Sequence, residues 1–592
     1  MCFPKKKASK FENRIKSLVH MLKNIANIRL IYVLFPVLSV LSACKKDAFT
    51  VRIAATTDVH GMIYPHDFIN RTSADHSLAH IYNYVLAQRA KKDMSFFLLD
   101  NGDFLQGQPT VYFYNFVDTL SEHLSARVMN FMEYDAGTVG NHDIEAGSRV
   151  YDRLVPVFNF PWLAANAVDS STGSPYFEPY AVLKAGRIKI AVLGLITPGI
   201  PDWLPKNLWP RMEFRDMVES AEEWVPRILE KEDPDLLVGL FHSGTDASYG
   251  GDPGEYMNEN AVMLVAEKVP GFHVIFAGHD HRVSVQRIAN LEGDSVLIID
   301  PGSHCRYAGE ATIRFKGREI LSKGTIIPMS DHEPSEAFMT RFAREFDLVA
   351  DYLDDTLTWL AEDMAGLDAL FGPSSLSSLI HRVQLDLSGA EISFTAPLSI
   401  SAVLEQGPLL VSDLFKLYRF ENMLYRMELT GHEIDGFLEH AAGVWFNTMT
   451  GPGDHLLQFD PDREGRLAAP YYNFSSAAGI RYTVDVTRPP GERVRIDALS
   501  DGTPFVEDQR YSVAVNSYRG SGGGGHLTAG AGIPKEELAE RISWTSERDI
   551  RYYLMEHLMQ EETLTPHSED NWACIPAHLT GPASLFDRKV LD

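Results

Sequence analysis

The chain has 592 residues, 45% of them hydrophobic and 23% charged, which is close to soluble globular averages and excludes a disordered or low-complexity chain. The length exceeds what one hydrophobic core organises, so two folded domains are expected. A formal net charge of −26 repels polyanions and excludes long nucleic acid as a partner.

At the N-terminus, Lys5, Lys6, Lys7, Lys10, Arg14, Lys16, Lys23 and Arg29 precede an apolar run from Leu30 to Leu41. That is a positive region followed by a hydrophobic one, too short for a bilayer span of roughly 20 residues. The run ends in Leu41-Ser42-Ala43-Cys44, which resembles a bacterial lipobox. The expectation is a cleaved signal peptide over 1–43 and a lipidated Cys44. The protein would then be extracytoplasmic and anchored to the bacterial membrane on its periplasmic or cell-surface side. An uncleaved anchor with an incidental cysteine is the alternative. Removing 1–43 takes away eight basic and one acidic residue, leaving 46 basic against 79 acidic. Cys305 and Cys574 then remain, as one disulfide or as two buried thiols.

From Phe49 to about Met329, short apolar runs alternate with helical patterns, predicting an α/β domain over 48–330 with both sheet faces covered. Val51–Thr56 leads into Asp58-Val59-His60-Gly61, Phe96–Leu99 into Asp100-Asn101-Gly102-Asp103, and Gly137–Val139 into Gly140-Asn141-His142-Asp143. Leu236–Phe241 leads into His242-Ser243-Gly244, and Val274–Ala277 into Gly278-His279-Asp280-His281. Ligand sites in such sheets gather beyond the carboxyl ends of strands, so the five ends can converge on one crevice.

The residue types suit metal binding. Asp58 and His60 are two apart, as are His279 and His281, and extended backbone would direct both members of each pair to one side. Asp, Asn and His without thiolate are donors for zinc, manganese, cobalt or iron. The seven candidates Asp58, His60, Asp103, Asn141, His242, His279 and His281 are too many for one tetrahedral site and suit two divalent ions sharing Asp103. Gly61, Gly102, Gly140 and Gly278 would permit the tight turns.

At these residues the chain resembles the calcineurin-like metallophosphoesterases, specifically the two-domain 5′-nucleotidase and 2′,3′-cyclic-nucleotide phosphodiesterase family. The resemblance implies a four-layer α/β/β/α N-terminal domain and a smaller α+β C-terminal nucleotide-binding domain. It implies one metal on Asp58, His60, Asp103 and His281, and another on Asp103, Asn141, His242 and His279. Such a pair polarises phosphoryl oxygens and lowers the pKa of water, so that hydroxide attacks phosphorus. His142 matches the family's catalytic histidine, stabilising charge or protonating the leaving alkoxide. Its orienting carboxylate would be Glu145, three positions on, or Asp143 beside it. Thr56-Thr57-Asp58-Val59-His60 and Asp100-Asn101-Gly102-Asp103-Phe104-Leu105-Gln106-Gly107 are similar to the cyclic-phosphodiesterase branch.

A charged helical pattern over 331–364 predicts a linker helix, and the second domain is expected over 365–560. Tyr418-Arg419-Phe420-Glu421-Asn422, and Asn516-Ser517-Tyr518-Arg519-Gly520 with its following glycines, resemble that family's C-terminal domain. There two aromatic rings clamp the base, and by position these are Phe420 and Tyr518. Stacking tolerates any base. Ile392-Ser393-Phe394-Thr395-Ala396-Pro397-Leu398 stands where strict 5′-nucleotidases carry a glycine-rich block ending in arginine. The tail, 561–592, has no assignable role, and the oligomeric state is open.

The function expected is that of a 2′,3′-cyclic-nucleotide 2′-phosphodiesterase/3′-nucleotidase acting on small nucleotides. The alternatives are a 5′-nucleotidase or UDP-sugar hydrolase with the same metals, and a non-catalytic nucleotide-binding surface lipoprotein.

Overall fold

The computed structural model describes residues 49–248, 256–317, 319–461, 463 and 465–591; Cys44 and the expected signal peptide lie outside the described residues. By proximity of Cα atoms the chain divides into two units, Met1–Val51 with Ile313–Leu321, and Arg52–Thr312 with Ser322–Asp592. The described part of the first consists mainly of strand ends. The second holds two sheet-based domains and every candidate site residue among the described residues. No helix among the described residues is long and apolar enough to cross a membrane.

In chain order the N-terminal strands are β1 (Phe49–Thr56), β2 (Ser95–Asp100), β3 (Ala136–Thr138), β4 (Trp162–Leu163), β5 (Tyr180–Ala185), β6 (Ile188–Ile196), β7 (Leu236–His242), β8 (Val274–Phe276), β9 (Val283–Ala289), β10 (Ser295–Pro301), β11 (Tyr307–Lys316) and β12 (Glu319–Pro328). They form two six-stranded sheets, β12-β11-β1-β2-β3-β4 and β9-β10-β8-β7-β6-β5. The central strands read as continuous apolar runs because both faces are covered. β7, Leu-Leu-Val-Gly-Leu-Phe-His, is buried throughout and pairs in parallel with β6 from Leu236–Ile190 to His242–Ile196. Edge strand β9 instead alternates exposed and half-buried positions, as an uncovered edge requires.

The two sheets face each other. Thr138 Oγ1 on β3 donates to Leu240 O on β7 at 2.9 Å, and Asn101 Nδ2 beyond β2 donates to Phe241 O at 2.9 Å. A side chain on Gly194 of β6 would strike Leu163 of β4, so glycine permits this approach. Helix Met217–Glu232, capped by Asp216, buries Met217, Val218, Ala221, Val225 and Ile228 in a cluster with Leu193, Leu195, Leu237 and Phe241 of the second sheet. Helix Leu78–Arg89 covers the first sheet and buries Leu78, Ile81 and Val85. The α/β/β/α layering expected from the resemblance is present.

The expected linker helix is two helices and a strand. Glu336–Arg341 and Ala343–Asp354 are separate, because Phe342 leaves helical geometry at φ −114°, ψ 17°. Both pack on the N-terminal domain. Phe338 and Phe342 meet Phe131, and Glu345 takes Arg127 at 2.6 Å. Thr356–Leu360 then turns extended, pairing with Gly407–Leu410 and Thr563–Leu564, as its β-branched, alternating Thr-Leu-Thr-Trp-Leu favours.

The C-terminal domain centres on β13 (Ile392–Thr395), β14 (Met423–Thr430), β15 (Ser476–Ala478), β16 (Ile480–Asp485), β17 (Val494–Leu499), β18 (Arg510–Asn516), β19 (Ile542–Asp549) and β20 (Trp572–Ile575). The sheet orders are β15-β13-β18-β14-β19 and β17-β16-β20. The tail therefore belongs to this domain. β20 pairs in parallel with β16, and Trp572 stacks on Tyr482 at 5.7 Å. Helix Ala577–Leu591 buries Asp587, which accepts from Leu457 N at 2.9 Å and His455 Nδ1 at 2.5 Å. Cys305 and Cys574 are free thiols, which removes the disulfide alternative.

Candidate active site

The five strand ends do converge. Asp58, His60 and His281 bring ligand atoms within 4.8 Å of one another, and Asp103, His242 and His279 do the same. His60 Nε2 lies 3.0 Å from His281 Nε2, which is 3.3 Å from Asp58 Oδ1. In the second cluster His242 Nε2 lies 3.1 Å from Asp103 Oδ2 and 3.1 Å from Asn141 Oδ1, and His279 Nδ1 lies 2.9 Å from the same amide oxygen. All seven predicted ligands are thus in these two adjoining groups.

The backbone that presents them is not extended, contrary to the reading from the two-residue spacing. Asp58, His60, Asp103, His279 and His281 have φ of 47°, 48°, 58°, 75° and 56°, in the left-handed region that costs a non-glycine residue on the order of 1–3 kcal/mol. Surrounding bonds hold the turns there. Asp58 N donates to Gly102 O, His60 N to Asp103 O and Gln108 N to His60 O, each at 2.9 Å. Of the four glycines singled out, only Gly61 and Gly102 have positive φ. Gly140 and Gly278 are needed for closeness instead, since a Cβ on Gly278 would lie 2.7 Å from Asp58 Oδ2 and one on Gly140 2.8 Å from Asp103 Cγ.

Hydrogen bonds behind the ligands fix which atom faces forward. His60 Nδ1 is paired with Gln106 O at 3.0 Å and His242 Nδ1 with Asn101 O at 2.7 Å, so each ring turns Nε2 to the site. Asp58 Oδ2 accepts from Thr57 Oγ1 at 2.5 Å and from His279 N at 3.1 Å, and Trp203 stacks on the His279 ring at 5.4 Å. Burial presses His60 and His279 down to about 4, which keeps them neutral. Burial would raise Asp58, but the His281 hydrogen bond and the His242 charge draw it down to about 2.

The donor set fits a pair of divalent cations. With Nδ1 of His60 donating to a carbonyl, its Nε2 is a bare acceptor aimed at another imidazole nitrogen and at a carboxylate cluster. Imidazole, carboxylate and amide oxygen without thiolate match zinc, manganese, cobalt or iron. His60 and His279 are in the neutral form that ligation requires, whereas His242, where Asp103 outweighs burial and holds the ring up at about 9, and His281, raised against burial by Asp58, would give up a proton on binding a cation.

His142 stands beside the first cluster, its ring 5.4 Å from that of His60. Its partner is settled by contact: Nδ1 is hydrogen-bonded to Glu145 Oε2. Burial would lower His142, but Asp103 and Glu145 outweigh it and hold the ring up at about 10, as an imidazolium. Asp143, the other candidate, has a different task. Its Oδ2 accepts from Asp103 N at 3.0 Å and Gly140 N at 2.8 Å, and its Oδ1 from Phe104 N at 2.9 Å and Leu105 N at 3.0 Å. It clamps the two ligand turns together, a role invisible in sequence because its four partners are backbone groups.

The site opens into a cleft of about 880 Å³ lined by His60, His142, His281, His304, Arg419 and Phe420 among others. His304 was not anticipated; its N–H donates to Asp58 O at 2.7 Å and its ring lies 5.1 Å from His60. Its neighbours Ser303 and Cys305 offer no ligand pattern that sequence reasoning could have used. Phe420 faces this cleft. Tyr518 is not among the residues lining it and is linked to Phe420 through Tyr472, whose ring lies 6.3 Å from Phe420 and 6.5 Å from Tyr518. Antiparallel pairing of β14 with β18, ending at Leu424–Asn516, brings the segments that carry the two predicted rings to the same end of these strands.

The calcineurin-like phosphoesterase family matches residues 51–283, and the 5′-nucleotidase C-terminal domain family matches residues 358–530. The chain is 26% identical to the "Trifunctional nucleotide phosphoesterase protein YfkN" of Bacillus subtilis (strain 168), an alignment covering 91% of this chain and 40% of that longer protein. It is 24% identical to the "2′,3′-cyclic-nucleotide 2′-phosphodiesterase/3′-nucleotidase" of Haemophilus influenzae, covering 91% of this chain and 89% of that protein. A Staphylococcus aureus chain solved in complex with alpha-ketoglutarate superposes with a TM-score of 0.72 at 23% identity, covering 89% of this chain and 99% of that one, which shows a shared fold.

Proposed function

We propose that this chain, which belongs to the two-domain metallophosphoesterases with a 5′-nucleotidase C-terminal domain, is a metal-dependent enzyme that hydrolyses phosphate esters of small nucleotides. Its first activity is that of a 2′,3′-cyclic-nucleotide 2′-phosphodiesterase/3′-nucleotidase. The observation that carries the reading is the pair of ligand clusters, with the His142–Glu145 dyad beside them, opening into one cleft that reaches Phe420. The Haemophilus influenzae relative, aligned over 89% of its own length, supports the branch by its name.

Bound divalent ions supply Lewis acidity toward phosphoryl oxygens and lower the pKa of water. The chain's own residues do the remainder. Asp58, His60 and His281 would hold one ion and Asn141, His242 and His279 the other, with Asp103 available to both. His142, charged and oriented by Glu145, stabilises the negative charge on the phosphoryl oxygens or gives its Nε2 proton to the departing alkoxide. Phe420 and Tyr518 stack the base at a distance from the chemistry, which tolerates different bases.

The second reading, a 5′-nucleotidase or UDP-sugar hydrolase, draws on the C-terminal domain's match over 358–530. Purified protein is to be assayed with 2′,3′-cyclic AMP, 3′-AMP, 5′-AMP and a UDP-sugar, with and without chelator. The first two are expected to be cleaved, and chelator to abolish turnover. Cleavage of 5′-AMP alone overturns the branch assignment, and tight nucleotide binding without turnover of any substrate establishes the non-catalytic alternative.

The Leu41–Cys44 motif supports an extracytoplasmic protein anchored through lipid on Cys44. Incorporation of labelled fatty acid in cells, lost in Cys44→Ala, is the expected outcome; an unlabelled wild-type protein refutes the anchor.

A further inference from the structure

Tyr472 lies between the two rings assigned to the base, and the details of that placement go beyond stacking. It sits in the short turn Tyr471–Asn473 ahead of β15, far in sequence from both Phe420 and Tyr518. Its ring is inclined 77° to Phe420 and 85° to Tyr518. Both rings thus stand nearly perpendicular to Tyr472, 6.3 Å and 6.5 Å from it, as two walls over a floor would. A flat base stacked on either wall then meets Tyr472 edge to face, an arrangement aromatic rings favour.

The turn is fastened to the loop that carries Tyr518. Arg519 is 4% exposed, and its guanidinium has no carboxylate within ion-pair distance among the described residues. It donates instead to Tyr472 O at 2.8 Å, Asn473 Oδ1 at 3.3 Å and Gly523 O at 2.6 Å, and lies 5.4 Å from the Tyr518 ring centroid. Buried His526 adds a second tie, its ring nitrogens 3.0 Å from Gly524 O and 2.9 Å from Asn473 O. Gly523 is required beside it, since a Cβ there would lie 2.6 Å from the Tyr518 ring. Burying a guanidinium is costly unless its donors are satisfied, and here they are spent on holding two aromatic loops in fixed relation.

We propose that Tyr472 is the floor of the base slot and a specificity-determining residue, with Arg519 its positioning residue. The inference rests on the reading of Phe420 and Tyr518 as the walls. A two-ring purine reaches further toward a floor than a pyrimidine does. Tyr472 therefore favours purine nucleosides, and it is the ring rather than the hydroxyl that does so.

The test is calorimetric titration of the full chain with adenosine and with uridine, beside kcat and KM for 3′-AMP and for glycerol 2-phosphate, which has no base. Tyr472→Ala is expected to weaken adenosine by about 3–10-fold, an edge-to-face contact being of that order, and uridine less. Kinetic constants for glycerol 2-phosphate stay unchanged. Tyr472→Phe keeps wild-type affinity, and Tyr472→Leu, which fills the space without a ring, behaves like the alanine variant should that one fold poorly. Arg519→Lys, keeping charge but not the fork of donors, is expected to lose the purine preference while leaving glycerol 2-phosphate turnover intact. If Phe420→Ala and Tyr518→Ala weaken both nucleosides while Tyr472→Ala and Tyr472→Leu bind as wild type does, the floor is refuted and the walls stand. If neither wall variant changes binding, the clamp reading itself falls, and the floor with it.

Discussion

Replacing Asp143 with asparagine isolates the turn clamp from the metal chemistry, because the side chain is fully buried and is not one of the seven candidate ligands. Each carboxylate oxygen accepts two backbone N–H groups. Whichever way an asparagine is turned, its NH2 faces two of those donors and both bonds are lost. Hydrogen bonds to charged groups are worth about 1.5–3 kcal/mol each, so the lost bonds cost about 3–6 kcal/mol, on the order of 5–10 °C in Tm, less the stability recovered by removing a charge that burial and Asp103 have already pushed up to about 6. The turns carrying Asp103 and Asn141 loosen together, and metal affinity is expected to fall by about 10–100-fold. Thermal unfolding of chelated and metal-loaded protein, with metal content measured after dialysis, reads both effects. An Asp143→Asn protein that melts as wild type does in both the chelated and the metal-loaded state, and retains its metal through dialysis, would refute the clamp.

His142→Ala is expected to reduce turnover by about 10²–10⁴-fold with metal content unchanged; undiminished activity removes it from the mechanism. Glu145→Gln, which keeps the shape of the dyad but not its charge, should lower kcat by a smaller factor and leave KM near wild type, and an effect on KM alone would contradict its orienting role. Exhaustive chelation should abolish hydrolysis and raise no new activity, and re-addition of single divalent ions one at a time identifies which ion restores it. Asp135 is pushed up to about 6 by burial, against its bond from Leu98 N, the nearby Arg89 cation and, in the same raising sense as burial, Glu133. An acid with a raised folded pKa is stabilising when protonated, so this contribution is present below about pH 4 and is lost as pH rises through 6. Asp135→Asn should therefore be more stable than wild type at pH 8, by an amount on the order of 2–3 kcal/mol, and not at pH 4; equal unfolding midpoints at pH 8 would show that the buried charge costs nothing. Ending the chain at 560 removes β20 and strips Trp572 from Tyr482 and Trp445, so the truncated protein is expected to be insoluble or to melt far below the full chain.

The candidate metal ligands were legible because each follows a buried strand whose apolar run announces it. β7 ends on His242 and β1 runs directly into Thr57 and Asp58, and parallel strands place such ends on one side of a sheet. The residue types then restricted the chemistry to hard and borderline cations. The two-residue spacing misled about conformation, since left-handed backbone also returns a side chain to the same side. Nothing local in Asp-Val-His distinguishes the two; the choice is made by bonds to Gly102 and Asp103, some forty residues on.

The strand in the linker segment and the tail's place in the second domain were not legible for a related reason. Thr356–Leu360 is a strand because Gly407–Leu410 and Thr563–Leu564 supply its partners, and a short segment's state follows its neighbours more than its composition. Sequence by itself indicated the two-domain plan, the seven candidate ligands, the position of His142 and the net negative charge, all of which depend on residue type and strand order. Tertiary structure alone decided that Glu145 and not Asp143 partners His142, that Asp143 clamps the ligand turns, and that Tyr472 joins Phe420 and Tyr518. Those assignments turn on distances of a few ångströms between groups remote in sequence, and hydrogen bonds and ring contacts depend on distance and angle that no spacing along the chain encodes.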